Sequence, residues 1–438
     1  MSREYDVIIA GAGPAGSEAA RTVASRGWDV AVLESEGEAE FPAQSNKSTA
    51  GTFPRMTGDF YIPEDVVMNN TDSVVLESPD NHYTQEKTGS VLDFGDFKEY
   101  MAEQGQEKGA EYLFDSHVTG PITDEQGSIQ GVQYNGDQEI YGDIVIDATG
   151  PSAPIAQDDE VGFIDLDPEK RAVGWEYLID GVEPDAEGYA DLTDAMMLRL
   201  DHDIAPGGYS WIFHTGEDTA KVGLCYIDND AHHEYGGEDF NILDSLENWI
   251  VEDPRFPEVD DRDDIDPLEP HQGSAHIQMP ENVSAEGVMG VGDTVSTIDP
   301  VWGEGIDVGM KSGKQAGITA LEALGPKKSG GEADTSAEQM ERYDRRWKEK
   351  VAPNRWRRDF MTHLMYNADN ERYDQLMDDL GQMDGDSLRK LNQGSPRAML
   401  DVLHLSDSSN VGQIAREKLG EHPAVRKAEE KVENWTDF

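Results

Sequence analysis

The chain has 438 residues, more than one hydrophobic core serves, so two or three domains are expected. Its 90 acidic against 35 basic residues, net −55, are spread along the chain; they exclude a nucleic-acid partner, which needs a basic patch, and match a halophile surface screened at molar salt. One cysteine, Cys225, leaves no disulfide framework or CxxC pair, and no apolar run reaches the ~18 residues of a membrane span, so a cytoplasmic protein is expected.

The first element is a short apolar run, Val7 to Ala10, of the kind that forms a strand buried on both faces. It ends in Gly11-Ala12-Gly13-Pro14-Ala15-Gly16, which fits G-x-G-x-x-G, and enters an Ala-rich helical segment. A second apolar run, Val30 to Leu33, closes on Glu34, 23 residues after Gly11. Each type has a task in dinucleotide binding. Gly11 permits a tight turn, Gly13 lets a pyrophosphate reach the backbone, and Gly16 lets helix and strand pack closely. The helix N-terminus offers free N–H groups to phosphates, and Glu34 can accept from both ribose hydroxyls.

The polar stretch from Glu36 to Thr57 is too long for a plain connection and is expected to be a functional loop. Strands are expected over 73–76 and 84–92, a helix over 97–109, and strands over 129–134 and 140–146. The last of these runs into Asp147-Ala148-Thr149-Gly150, a second place where backbone can approach a cofactor. From 162 to 226 separated strands predict a largely antiparallel sheet, a second domain inserted in the first. His232-His233 falls in a predicted loop, and no ligand cluster accompanies it, so no metal site is expected. Gly287 to Asp293 is again a buried strand ending in an acid. Pro300-Val-Trp-Gly303-Glu-Gly305-Ile306 and a small-residue helix to Leu324 follow, then a Gly-rich linker over 327–335 and a helical remainder.

These segments together resemble the FAD-binding segments of the para-hydroxybenzoate hydroxylase-like flavoproteins. The resemblance implies FAD as cofactor, contacted at Gly11 to Gly16, Glu34, Ala148, Gly150 and Gly292. It also implies an acid at Asp293 on the ribityl chain, a backbone group at Val118 near the adenine, and Pro300, Gly303, Gly305 and Ile306 facing the isoalloxazine. The implied fold is α/β. A discontinuous Rossmann-like FAD domain covers 1–40, 85–160 and 271–326, and a mainly antiparallel substrate domain covers 41–84 and 161–270. A helical C-terminal region covers 327–438.

Within that superfamily the chain is similar to the geranylgeranyl reductase family, as a haloarchaeal-type member. Leu92 to Glu111 is similar to that family's helix and Gly-Ala-Glu turn. Pro206-Gly-Gly-Tyr209-Ser-Trp211-Ile-Phe213-His214 is similar to its P-x-x-Y-x-W-x-F-P signature. The resemblance implies reduction of isolated C=C bonds in an isoprenoid lipid by hydride from reduced flavin. Tyr209 is then the catalytic candidate, and Trp211 and Phe213 contact the substrate. The electron donor is left between NAD(P)H and a ferredoxin-like protein. Three positions depart from the family. Residues 44–51 carry no cysteine, Phe94-Gly95 stand where an arginine is usual, and His214 replaces proline. An aromatic hydroxylase, disfavoured by the missing arginine after Gly150-Pro-Ser152, and a flavin electron carrier remain as alternatives. The basic residues Arg355, Arg357 and Arg358 fit either a packed helix or a patch meeting a membrane surface or donor.

Overall fold

The computed structural model describes residues 5–41, 49–54, 56, 60, 62–216, 218–326, 332–392, 395 and 398. The cysteine-free loop at 44–48, the start of the linker at 327–331 and the expected helical end beyond 398 lie outside the described residues.

In chain order the strands are β1 (Tyr5–Ala10), β2 (Val30–Leu33), β3 (Gly51–Thr52), β4 (Val67–Glu77), β5 (His82–Leu92) and β6 (Glu111–Leu113). Then come β7 (Val118–Thr123), β8 (Ile129–Tyr134), β9 (Gln138–Asp147), β10 (Arg171–Ile179) and β11 (Ala195–Arg199). The last are β12 (Gly208–Gly216), β13 (Thr219–Ile227), β14 (Glu269–His276), β15 (Ser284–Ala285) and β16 (Val288–Gly290). One sheet runs β15-β16-β9-β1-β2-β6, with β7 and β8 attached as a meander on β9. Its β16, β9, β1, β2 and β6 pair in parallel, and Val7, Ile8 and Ile9 are wholly buried, as strands covered on both faces must be.

The second sheet runs β14-β10-β13-β12-β11-β4-β5-β3. It is antiparallel except where β11 lies parallel to β4, a pairing between segments more than a hundred residues apart. By pairing, β5 and β14 belong to this sheet, so the domain limits expected at 85 and 271 fall inside its strands. Alternating polarity cannot say which sheet a strand joins.

Helices α1 (Pro14–Ala24), α2 (Phe94–Glu107), α3 (Asp230–Gly236), α4 (Ile242–Glu252) and α5 (Ile306–Leu324) precede a C-terminal set. That set comprises α6 (Ala337–Arg346), α7 (Arg355–Tyr366), α8 (Asn370–Gln382) and α9 (Gly385–Asn392). Asp93 caps α2 by accepting from Asp96 N, which starts the helix earlier than its apolar pattern suggests. His232 and His233 lie on α3, not in a loop, because Asn229 caps that turn. Among the described residues no group of acids, histidines or cysteines could hold a metal, and no helix is long and apolar enough to cross a membrane.

What positions the site is the crossing of α1 and α5. Gly309, Gly313 and Gly317 recur every fourth residue, so they share one face of α5. A Cβ on Gly313 would stand 1.9 Å from the carbonyl oxygen of Ala15. Behind α5, Tyr343 of α6 donates to Gly290 O (2.8 Å), and Trp347 donates to Thr297 Oγ1 (3.2 Å). Gly313→Ala is expected to push the helices apart and destabilise the fold by about 1–3 kcal/mol, the usual cost of overpacking. Thermal unfolding at fixed molar salt measures it.

Candidate functional site

The turn from β1 to α1 is held from beneath. Gly11 adopts φ +107, and a Cβ there would lie 2.3 Å from Ala148 O. A Cβ on Gly16 would meet Gly11 O at 2.1 Å. Gly13 differs: nothing lies within 4 Å of its absent side chain, and the open space is the cavity. Glu34, buried at the end of β2, accepts from Ala12 N (2.9 Å) and, with its other oxygen, from Glu36 N (3.0 Å). Its carboxylate therefore shapes the glycine loop from below. Gly11, Ala12, Glu34 and Val118 do not line the cavity; Val118 packs in the core with Ile8, Ala10 and Leu33.

Two further turns meet this one because β9 and β16 lie beside β1. Asp147, fully buried, accepts from Thr149 N (3.1 Å), Thr149 Oγ1 (2.6 Å) and Ala156 N (2.9 Å), which sets the Ala148–Gly150 turn. Gly150 N donates to Thr294 Oγ1 (3.0 Å), tying that turn to the one after β16. Asp293 faces the cavity, yet its carboxylate accepts no hydrogen bond from a described residue. Burial raises its pKa to about 6, against a smaller lowering by Arg355.

The cavity, about 520 Å³, runs from Gly13–Gly16 past Ala148–Ser152 and Asp293 to Gly303, Gly305 and Ile306. Its far wall is β12, whose alternate residues Tyr209, Trp211 and Phe213 all face it. A second chamber of about 200 Å³ continues behind Tyr209, lined by Trp175, Cys225, Ile227, Ile277 and Tyr366, and reaching Pro300. Tyr209 stands between the two. A Cβ on Gly303, which sits at φ +62, would lie 1.9 Å from the Tyr209 hydroxyl. The phenol thus touches the backbone of the Pro300–Ile306 turn. Burial holds its pKa well above the ordinary phenol value, and hydrogen-bonded Cys225 adds to the rise. The Cys225 thiol is itself pushed up to about 12 by burial, an inert neutral group. Trp211 donates to Glu176 Oε2 (2.7 Å), and Phe213 abuts Gly51, where a Cβ would be 2.3 Å from its ring.

Sequence reasoning missed the residues that fix the Pro300–Ile306 turn. Arg355, buried and at the start of α7, donates to Thr297 O (3.2 Å), Ile298 O and Gln278 O (3.1 Å). Its basic neighbour Arg358 pairs with Asp299. The signal was visible, a basic cluster in an acidic chain, but composition cannot separate an inward clamp from an outward patch. Glu304 was also missed. It is buried and accepts from Thr52 Oγ1 (3.1 Å) and Asp307 N (2.8 Å), joining β3 to the first turn of α5. Burial, with Asp307 nearby, raises its pKa to about 8.

A carboxyl whose folded pKa lies above its unfolded value binds more protons in the folded state, so stability falls as pH rises between the two. Glu304 therefore costs stability progressively from about pH 4.5 to about pH 8. Glu304→Gln keeps an oxygen for both donors and removes the titration. The variant is expected to be more stable than the parent above pH 8 by a few kcal/mol on the order of the shift, with the difference vanishing below the unfolded pKa of about 4.5. Denaturant unfolding across that range measures it.

Known proteins share both sequence and fold with this chain. Residues 6–156 match the family model of the FAD dependent oxidoreductases. The digeranylgeranylglycerophospholipid reductase of Haloferax volcanii is 53% identical over 417 residues, 95% of this chain and 99% of that protein. A digeranylgeranylglycerophospholipid reductase of Methanopyrus kandleri is 30% identical over 79% of this chain and 87% of its own length. A geranylgeranyl bacteriochlorophyll reductase-like protein of Thermoplasma acidophilum has the same fold, with TM-score 0.77 at 21% identity over 94% of this chain and 99% of its own. The halogenase PltM, crystallised as a variant in complex with FAD, aligns with TM-score 0.64 at 14% identity over 95% of this chain and 86% of its own. The chain belongs to the digeranylgeranylglycerophospholipid reductase family, FAD-dependent reductases that act on CH–CH bonds.

Proposed function

We propose that this protein saturates isolated C=C bonds in the geranylgeranyl chains of an archaeal ether-lipid precursor, a digeranylgeranylglycerophospholipid. The observation that carries the reading is the aromatic-walled chamber continuing past Tyr209 from the cavity. A prenyl chain has no polar group along its length, and Trp175, Ile227, Ile277 and Tyr366 supply the apolar lining it requires.

The cavity fits FAD on its own chemistry. Gly13 and the N-terminus of α1 leave room and free N–H groups for a pyrophosphate. Asp293 offers a carboxylate without a donor among the described residues where a polyol chain would pass, and Glu34 shapes the glycine loop from beneath. When bound and reduced, FAD would supply the hydride for one alkene carbon. The protein's task is the other carbon's proton, its orientation and the exclusion of water. Tyr209 is the proposed donor. Its hydroxyl lies at the junction of cavity and chamber and touches the Pro300–Ile306 turn. Trp211, fixed by Glu176, and Phe213 present flat faces that hold the chain beside the cofactor. The electrons arrive from NAD(P)H or a ferredoxin-like donor, and a lipid substrate implies peripheral contact with a membrane surface.

The test is anaerobic. FAD-loaded protein is reduced at molar salt and mixed with the geranylgeranyl lipid. Flavin reoxidation with a product heavier by two hydrogens per bond is expected. Reoxidation only by oxygen with a phenolic compound would make the protein a hydroxylase, and none with either would leave an electron carrier. Tyr209→Phe is expected to slow reoxidation by lipid about a hundredfold while FAD affinity and flavin reduction hold, as stopped-flow absorbance would show. Gly13→Val is expected to weaken FAD binding by at least about tenfold while costing the apo fold about 1 kcal/mol or less, since its side chain enters open cavity. Gly16→Val is expected to unfold the apo protein first, because its side chain enters Gly11.

A further inference from the structure

A charged vestibule of about 300 Å³ lies on the other side of the Phe53–Trp302 pair from the flavin cavity. The two rings, 5.9 Å apart, line both spaces. Four cations reach the vestibule: Lys87, Lys311, Arg355 and Arg358. Three of them are committed, Lys311 to Asp307, Arg358 to Asp299 and Arg355 to backbone carbonyls. Lys87, on β5, is not. Its ammonium sits 4.5 Å from the Phe53 ring centre and 4.7 Å from that of Trp302, and it donates to no described residue.

The carboxylates lining the vestibule are Asp299, Glu304 and Asp307. Burial keeps Glu304 largely protonated at neutral pH, so four positive charges face two negative ones. That balance is the reverse of the whole chain, with 35 bases against 90 acids. Desolvation also lowers the pKa of Lys87 despite attraction to Asp299 and Asp307, so its charge lacks a full counterpart. At molar salt long-range attraction is screened within about 3 Å. An anion would have to be recognised by contact inside such a half-enclosed site.

We propose that this vestibule takes the phosphate of the prenyl lipid's polar head, with Lys87 as its direct partner and the chain passing the Phe53–Trp302 pair into the flavin cavity. The proposal rests on the lipid-reductase reading above and adds where the head group binds.

The experiment compares the phosphorylated geranylgeranyl glycerol ether with its dephosphorylated counterpart at fixed molar salt. In the parent protein KM for the phosphorylated lipid is expected to be at least about tenfold lower. Lys87→Met keeps the apolar stem over the rings, and the ratio of the two KM values is expected to fall to near one. Lys87→Arg is expected to keep most of the discrimination. A parent that does not discriminate, or a Lys87→Met variant that raises both KM values equally, overturns the proposal and leaves alkene reduction standing. Slowed flavin reduction by NADPH without any change in reoxidation by lipid would assign the anion to the donor and overturn the lipid source. Reduction of neither lipid by the parent is failure of the functional reading instead. Calorimetric titration with glycerol phosphate then decides the vestibule. Binding weakened about tenfold in Lys87→Met supports it, and no binding to the parent overturns it.

Discussion

The carbonyl oxygens of Gly11 and Ala15 lie where side chains on Gly16 and Gly313 would have to stand. That backbone-to-backbone approach is the constraint on which the flavin site depends. It lets α1 pack directly over β1 and lets α5 lie directly on α1. The two ends of the cofactor cavity come from segments nearly three hundred residues apart, and this crossing, with the pairing of β1, β9 and β16, brings them together. Because β1, β9 and β16 are parallel neighbours, their three following turns emerge at one edge, as in other open parallel sheets that bind ligands at their carboxyl ends. The inserted second sheet then supplies the opposite wall without disturbing the crossing.

Much of this architecture is legible in the amino-acid order because it rests on local rules. A buried parallel strand, a glycine turn and an Ala-rich helix leave a signature within thirty residues, and Gly11 to Glu34 carries it. The alternation of Tyr209, Trp211 and Phe213 announces one face of a strand, and that face does line the cavity. What stayed hidden depends on contacts between distant segments. Glu34 suggests a ribose ligand from its spacing, yet its carboxylate also holds Ala12 and Glu36. The parallel pairing of β4 with β11 has no local mark at all. Arg355 and Glu304 carry the Pro300 turn through bonds to residues up to 252 positions away, which no spacing rule anticipates.

The same limit explains the basic residues. In a chain so short of cations, each interior one does work that a carboxylate could not. Lys221, 1% exposed, donates to Thr49 O (3.1 Å) and Leu92 O (3.0 Å), pinning the segment beside Phe213 to the second sheet. Arg255 joins Glu77 (2.8 Å) to Asp253 (2.7 Å) beneath the same sheet. Arg355 clamps the turn that meets Tyr209. Breaking any of these would leave buried carbonyls or carboxylates without a partner, which costs more than losing an exposed ion pair.

Salt therefore acts on two different populations of charge. The spread acids of the surface repel one another and need screening before the compact state is favoured. Lys221, Arg255 and Arg355 meet their partners at hydrogen-bond distance in protein surroundings, where mobile ions do not enter and screening is weak. Lowering the salt should loosen the fold through its surface long before it alters the geometry around Tyr209 and Gly303. The chemistry of the site is insulated from the environment that the composition records, and the composition for that reason says little about the chemistry.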